Sequence, residues 1–460
     1  MNGYGAIVLA ALLLDFALGA GADVLNLRAL ARELPAEFRD VYDAERYRRA
    51  QEYTRVRARF GLVTSALGLA LLLPFWFAGG FAWLDRSLRP LGLGPIGTGL
   101  LYLGALGLAW FVVGVPFRWW STFVIERRFG FNQTAPKTFW TDLLKGMLLA
   151  ALLGGPLVAA VLWLFERTGG QAWLWCWLAS AAYVLAVEFV APTWIMPLFN
   201  TFRPLVHGPL RDALLAYARS VSFPLEGVFV MDGSRRTTKA NALFTGFGRH
   251  KRIALFDTLL HKLDADEVVA VLAHEIGHYK RRHVVQATVI AVLHLGVLLF
   301  VVSVLVGRPG LFAAFGLQAR PVYAGLVFSA LLLAPAELVL SVILHALSRR
   351  NELQADAFAA ATTGSGEQLA RALKRLSADA LSNLTPHPLY VLLHYSHPPV
   401  RRAPARAPGG SRLSGERPGD GVLEAVVAPE HLVAREEGRG AVAASGLTGR
   451  GPRGTRARPW

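Results

Sequence analysis

His274 and His278 stand four residues apart in LDADEVVAVLAHEIGHYKRRH (263–283), and Glu275 follows the first of them. On a helix, residues i and i+4 lie one turn apart on one face, so the two imidazoles can share a metal ion. Glu275 falls on the flank of that face. Two neutral imidazoles beside a carboxylate are the parts of a hydrolytic zinc site: the ion acidifies water, and the carboxylate takes the proton. Such a site needs a third protein ligand and one open corner. Glu352, in SRRNELQADAFAAAT (348–362), is the candidate ligand. Asp356, four residues on and on the same helical face, is the carboxylate that would orient a ligating imidazole. Cys176 is the only cysteine, which excludes an intrachain disulfide and a thiolate zinc site. His283 lies nine residues after His274, on the opposite side at 100° per residue, and is not read as a ligand. In the His- and Pro-rich run LSNLTPHPLYVLLHYSHPPV, His397 before the rigid Pro398-Pro399 is the candidate donor to a developing oxyanion, ahead of His387 and His394.

The elements that must position these groups leave their own marks. Asp264 as N-cap with Glu267 at N3 forms a capping box, and Val268, Val269, Val271, Leu272 and Ile276 recur at helical spacing. Ala273 and Gly277 are small neighbours, read as leaving room for metal and substrate. Upstream, Gly227–Met231, Asn241–Thr245 and Arg252–Phe256 have strand composition, the last two joined by a turn through Gly248. A small sheet beside the helix follows. Its edge, Asn241-Ala242-Leu243-Phe244, could pair with an extended peptide, which makes Asn241 and Ala242 the substrate-binding candidates.

Composition sets the surroundings. With 53% hydrophobic residues and a mean hydropathy of +0.39, the chain reads as an all-α polytopic membrane protein carrying a small zincin-like α+β catalytic domain. Seven segments are long enough to span a bilayer: Gly5–Leu25, Gly61–Trp83, Thr98–Phe117, Leu143–Leu164, Trp173–Ile195, Val284–Val306 and Val322–Leu347. The first contains Asp15 and lacks a positive start, so it reads as a retained span. Asp15, Lys145, Glu188 and Glu337 fall inside spans, where they either pair between helices or face a hydrated space. The net charge of +16 is carried partly by arginines crowding the connection after the first span, with more at Arg127, Arg128 and Lys137. By the positive-inside rule the first, third and fifth connections, and the catalytic site with them, face the cytoplasm. No basic surface interleaved with stacking aromatics is present, so a nucleic-acid partner is not expected. The organisation is then 1–200, a five-span region; 201–283, the catalytic domain; 284–350, two further spans; 351–400, the third-ligand helix and His-Pro-Pro segment; and 401–460, an Ala/Gly/Arg/Pro-rich tail read as disordered.

LAHEIGHYKRRH (272–283), NELQADAFA (351–359), KANALFTG (239–246), FGFNQT (129–134), PLFNTFRPL (197–205) and YSHPPV (395–400) together resemble the Ste24-type CAAX prenyl protease family of zinc metallopeptidases, over roughly residues 1–400. The resemblance implies seven transmembrane helices around a water-filled chamber, and one zinc per chain held by His274, His278 and Glu352. It implies Glu275 as base, His397 as transition-state partner, and Asn241 and Ala242 on the substrate-pairing strand. The family continues His-Pro-Pro with Glu-Arg, whereas Ala403 stands at the arginine position here. The shorter HtpX-type proteases share the zinc signature but have fewer spans before it. A catalytically silent membrane scaffold is the competing class. The substrate expected is a membrane-associated peptide or protein, lipidated if of CAAX type, in a bacterial inner membrane or an endoplasmic reticulum membrane.

Overall fold

Apolar side chains repeated over twenty or more residues force the backbone to satisfy its own hydrogen bonds, and the helix does so without a partner. The computed structural model, which describes residues 1–245 and 251–400, accordingly has six helical stretches long and apolar enough to cross a membrane: Gly3–Arg28, Ala44–Phe77, Gly94–Glu126, Pro136–Leu198, His283–Val306 and Val322–Thr363. The most apolar window of each is only 6–22% buried, so these helices leave most of their surface for lipid or an internal space. Pro136–Leu198 is not one rod. It holds two helices, Pro136–Thr168 and Ala172–Val190, joined through Gly169 (φ 53°). Cys176 meets the Val161 carbonyl and Tyr183 Oη donates to the Leu153 carbonyl, so the two run antiparallel. Seven crossings are reached only if this hairpin crosses twice.

The second span differs from its expected limits. Its helix starts at Ala44, capped by Asp43, carries the arginine-rich segment as its first turns, and stops at Phe77 before Gly79 turns left-handed (φ 75°). Trp83 therefore belongs to a separate short helix, Gly80–Leu88. Hydropathy alone merges the two, because apolar residues flank the break. Of the ionisable residues inside the spans, Glu337 Oε1 lies 3.0 Å from His294 Nε2 on the neighbouring helix, and Lys145 donates to the Leu198 carbonyl.

Four strands form a sheet in the order β1-β2-β4-β3, with β1 Phe202–Pro204, β2 Leu225–Met231, β3 Ala242–Thr245 and β4 Lys251–Phe256. β2 and β4 run parallel and β3 returns antiparallel along β4, which leaves β3 at the edge. β1 escapes pattern reading, since three residues ending in Pro204 carry no alternation. The turn through Gly248 and the tail 401–460, with Ala403, lie outside the described residues.

The motif helix runs Ala265–Lys280 and begins with the capping box, Asp264 N–H donating to Glu267 Oε2 at 3.0 Å. Val228, Ile253 and Leu255 of the sheet share one core with Val268, Val271, Leu272 and Ile276 of this helix, and with Ala359 of the last long helix. That last helix, Val322–Thr363, has 42 residues, about 63 Å at 1.5 Å per residue. A bilayer core takes about 20 residues. Its final third therefore projects past the membrane and lies against the motif helix.

Candidate metal centre

Two helices meet here because their facing positions are small. Gly277 and Ala355 are buried against each other; a Cβ at 277 would lie 3.0 Å from both the Cα and the carbonyl oxygen of Ala355. Gly277, read from the sequence as room for metal and substrate, serves instead as the point of helix contact. At this crossing Glu352, one turn before Ala355, comes up beside the two imidazoles.

The donor atoms converge. His274 Nε2 and His278 Nε2 are 3.1 Å apart. Glu352 Oε2 lies 3.2 Å from His274 Nε2, and Oε1 lies 3.5 Å from His278 Nε2. One ligand atom from each of the three residues falls within 4.8 Å of the others. Glu352 is 6% exposed, and its Oε2 is buried without a hydrogen-bond partner. A buried carboxylate whose two oxygens face two imidazole nitrogens, one of those oxygens without a hydrogen-bond partner, fits a divalent cation. His/His/Glu is also a donor set borderline enough for Zn²⁺.

Asp356, 2% exposed, places Oδ1 2.7 Å from His274 Nδ1. That contact fixes the tautomer: Nδ1–H donates to the carboxylate and leaves the Nε2 lone pair for a metal. Burial alone would lower the His274 pKa, but the neighbouring Asp356 and Glu352 carboxylates outweigh it and raise the pKa well above the usual value. The negative field that would hold a proton there would equally hold a metal ion.

Glu275 sits beside this cluster, half-buried. Burial raises its carboxyl pKa, with His274 and His278 pulling the other way, which suits a group that must accept and return a proton. His397 Nε2 lies 3.4 Å from Glu352 Oε1, and burial lowers its pKa, with Glu352 pulling the other way. Its Nδ1 is 2.9 Å from Ser396 Oγ. The segment is held by Arg349, which donates to the Tyr395 carbonyl at 2.6 Å. The other two histidines of that run lie elsewhere: His387 caps the helix Pro388–His394, and His394 packs on Tyr390.

His283 is not among the grouped metal donors, but it is not remote. The motif helix ends at Lys280, Arg282 turns left-handed (φ 59°), and His283 starts the next helix. Its Nδ1 thereby comes within 3.1 Å of His278 Nδ1, while its Nε2 is 3.1 Å from Gln354 Oε1. Extrapolating 100° per residue fails because the helix does not continue. Gln354 carries no signal by itself, although its place between Glu352 and Asp356 could draw attention.

The edge strand is anchored from the membrane side. Asn241 lies just before β3, its carbonyl accepting from Phe256 N–H at 2.9 Å, and Ala242 opens the strand. Upstream, Arg236 binds Asp142 at 2.8 Å, Asn200 Oδ1 at 2.9 Å and the Phe199 carbonyl at 2.6 Å. Lys239 pairs with Glu126 at 3.0 Å and lies over the Phe131 ring. The FGFNQT and PLFNTFRPL motifs thus meet at the root of β3.

Residues 23–201 match the family described as CAAX prenyl protease N-terminal, five membrane helices, and residues 204–405 match peptidase family M48. The chain is 34% identical over 387 residues to the CAAX prenyl protease 1 homolog of Oryza sativa, covering 82% of this chain and 91% of that protein. It is 36% identical over 388 residues to the Arabidopsis thaliana homolog, with the same coverage, and 32% identical over 393 residues to CAAX prenyl protease 1 of Saccharomyces cerevisiae, covering 80% and 86%. The crystal structure of S. mikatae Ste24p superimposes with a TM-score of 0.82 at 30% identity, over 86% of this chain and 97% of that one.

Proposed function

Given that this chain belongs to the CAAX prenyl proteases of peptidase family M48, and so is an integral membrane metalloendopeptidase, we propose the residues that carry the reaction and the substrates it takes. His274, His278 and Glu352 hold one Zn²⁺ per chain, and Asp356 orients His274. The convergence of these three donors from two helices, around a buried carboxylate oxygen without a partner, is the observation that carries the reading. Zinc bound there would polarise the scissile carbonyl and acidify a water.

Glu275 removes a proton from the attacking water as its oxygen bonds to the carbonyl carbon. The same carboxyl then delivers that proton to the leaving amine as the C–N bond breaks. His397 donates a hydrogen bond to the oxyanion, where charge develops only in the transition state. An extended peptide pairs with the free edge of β3 at Ala242, beside Asn241 at the root of the strand, so main-chain bonds align it and its side chains matter less. The site faces the interior of the helix bundle, with seven crossings and the catalytic part on the cytoplasmic side, as the arginine distribution supports.

The substrates are membrane-associated peptides, including those with a lipidated C-terminal CAAX sequence. Incubation of the purified protein with prenylated and unprenylated versions of one peptide, with and without a chelator, tests this. Chelator-sensitive cleavage of both, faster for the prenylated one, is expected. Cleavage that survives the chelator would overturn the zinc assignment, and indifference to the prenyl group would remove lipidation from the specificity.

A further inference from the structure

The turn between the motif helix and His283–Val306 opens onto a cavity of about 430 Å³, lined in part by His283 and Gln354, the pair that abuts His278. Arg281, Arg282 and Arg350 line it together with Gln286 and Asn351, whose carboxamides share one hydrogen bond, and the lining includes no Asp or Glu. The three arginines are exposed, and among the described residues none has an ion pair. Some arginines elsewhere are neutralised within the chain, Arg46 by Asp379, Arg236 by Asp142, and Arg375 by Asp264 and Glu267. Here three like charges are gathered around one space, and one of them, Arg282, is held at φ 59°, a conformation that a residue with a Cβ adopts at a cost. Repulsion and strain at one place are what an anion site looks like before its anion arrives.

The position of the cavity says which anion. It lies at the first turn of a helix whose most apolar window has a mean hydropathy of 3.0, so it opens at the water-facing end of a membrane span. Val285 is part of its lining, and Val289, Leu293, Val297 and Val304 continue from it down one side of the helix, all exposed. A cationic head above an apolar stripe is complementary to a phospholipid rather than to a free ion. We propose that this cavity binds the phosphate-bearing headgroup of an anionic phospholipid, with an acyl chain along the Val289–Val304 stripe. The phosphate accepts from the three guanidinium forks, Gln286 and Asn351 meet the remaining headgroup oxygens, and the lipid neutralises a charge cluster that the chain leaves unpaired.

Native mass spectrometry of the full chain, delipidated in detergent and titrated with phosphatidylglycerol or phosphatidylcholine, tests the proposal. The wild type should hold phosphatidylglycerol preferentially. A variant combining Arg281→Gln, Arg282→Asn and Arg350→Gln should lose that preference by about tenfold or more, whereas Lys at all three positions should keep most of it. Equal phosphatidylglycerol binding by wild type and neutral variant overturns the proposal. Should the triple variant fail to fold, judged by its melting curve, Arg350→Gln alone is read by the same criterion. Inorganic phosphate should compete only weakly; if it binds as tightly as the lipid, the site is for a free anion and the lipid assignment falls. If the neutral variant keeps its lipid but fails on a peptide with a free terminal carboxylate while cleaving the amide, the cavity receives the substrate's C-terminus, and the proposal is likewise overturned.

Discussion

The α-carbon of Ala355 lies where a side chain on Gly277 would have to go, 3.0 Å from the position of the missing Cβ. Both close atoms of Ala355 are backbone, so neither can swing aside. Gly277→Ala should push the two helices apart by a few tenths of an ångström, and Gly277→Val further, at about 1–3 kcal/mol of overpacking. Because His278 and Glu352 ride on those helices, zinc per chain should fall together with Tm. A Gly277→Val protein with full metal and an unchanged melting curve would contradict this.

Glu275→Gln keeps the shape of the side chain and removes its basicity. Metal content and Tm should hold, while kcat drops by about 10²- to 10⁴-fold. Elemental analysis and a peptide assay on the same sample separate the two effects; undiminished turnover would remove Glu275 from the mechanism.

Loss of a ligand and loss of its orienting partner should differ in degree. Glu352→Ala should strip zinc from the purified protein. Asp356→Asn should retain it with about 10- to 100-fold weaker affinity, since His274 keeps a neighbour but loses the negative charge that fixes its tautomer. Competition against a graded series of chelators would read both, and equal affinity in all three proteins would refute the assignment.

For His397 the expected signature is a kcat effect. His397→Phe should lower kcat by about 10²- to 10³-fold with little change in KM or zinc, as for the removal of one oxyanion donor. A rise in KM alone would make the ring a substrate contact instead.

Arg236 ties the root of the edge strand to Asp142, Asn200 and Phe199. Arg236→Ala should therefore raise KM more than it lowers kcat and leave zinc bound, because the strand loses its fixed place while the metal helices do not. Loss of metal in that variant would show that the two parts depend on each other more closely.

Much of this is legible because it is local. Asp264 and Glu267 signal a helix start within four residues, and the two histidines share a face through helical geometry alone. The strand composition of β2, β3 and β4 and the apolar runs of the spans are equally short-range properties. The break at Gly79 and the turn at Arg282 are not legible, since both depend on a single backbone conformation within otherwise continuous composition. The second brings His283 from the far side of a supposed helix to within 3.1 Å of His278.

Sequence by itself determined which residues could do chemistry and on which helical face each pair sits, because side-chain type and the 3.6-residue turn need nothing beyond the chain's own neighbours. Only the tertiary structure decided that His274 and Asp356, 82 residues apart, meet at 2.7 Å. That distance is set by how closely two helices can pack, and it follows from Gly277 lying against Ala355 rather than from any spacing along the chain.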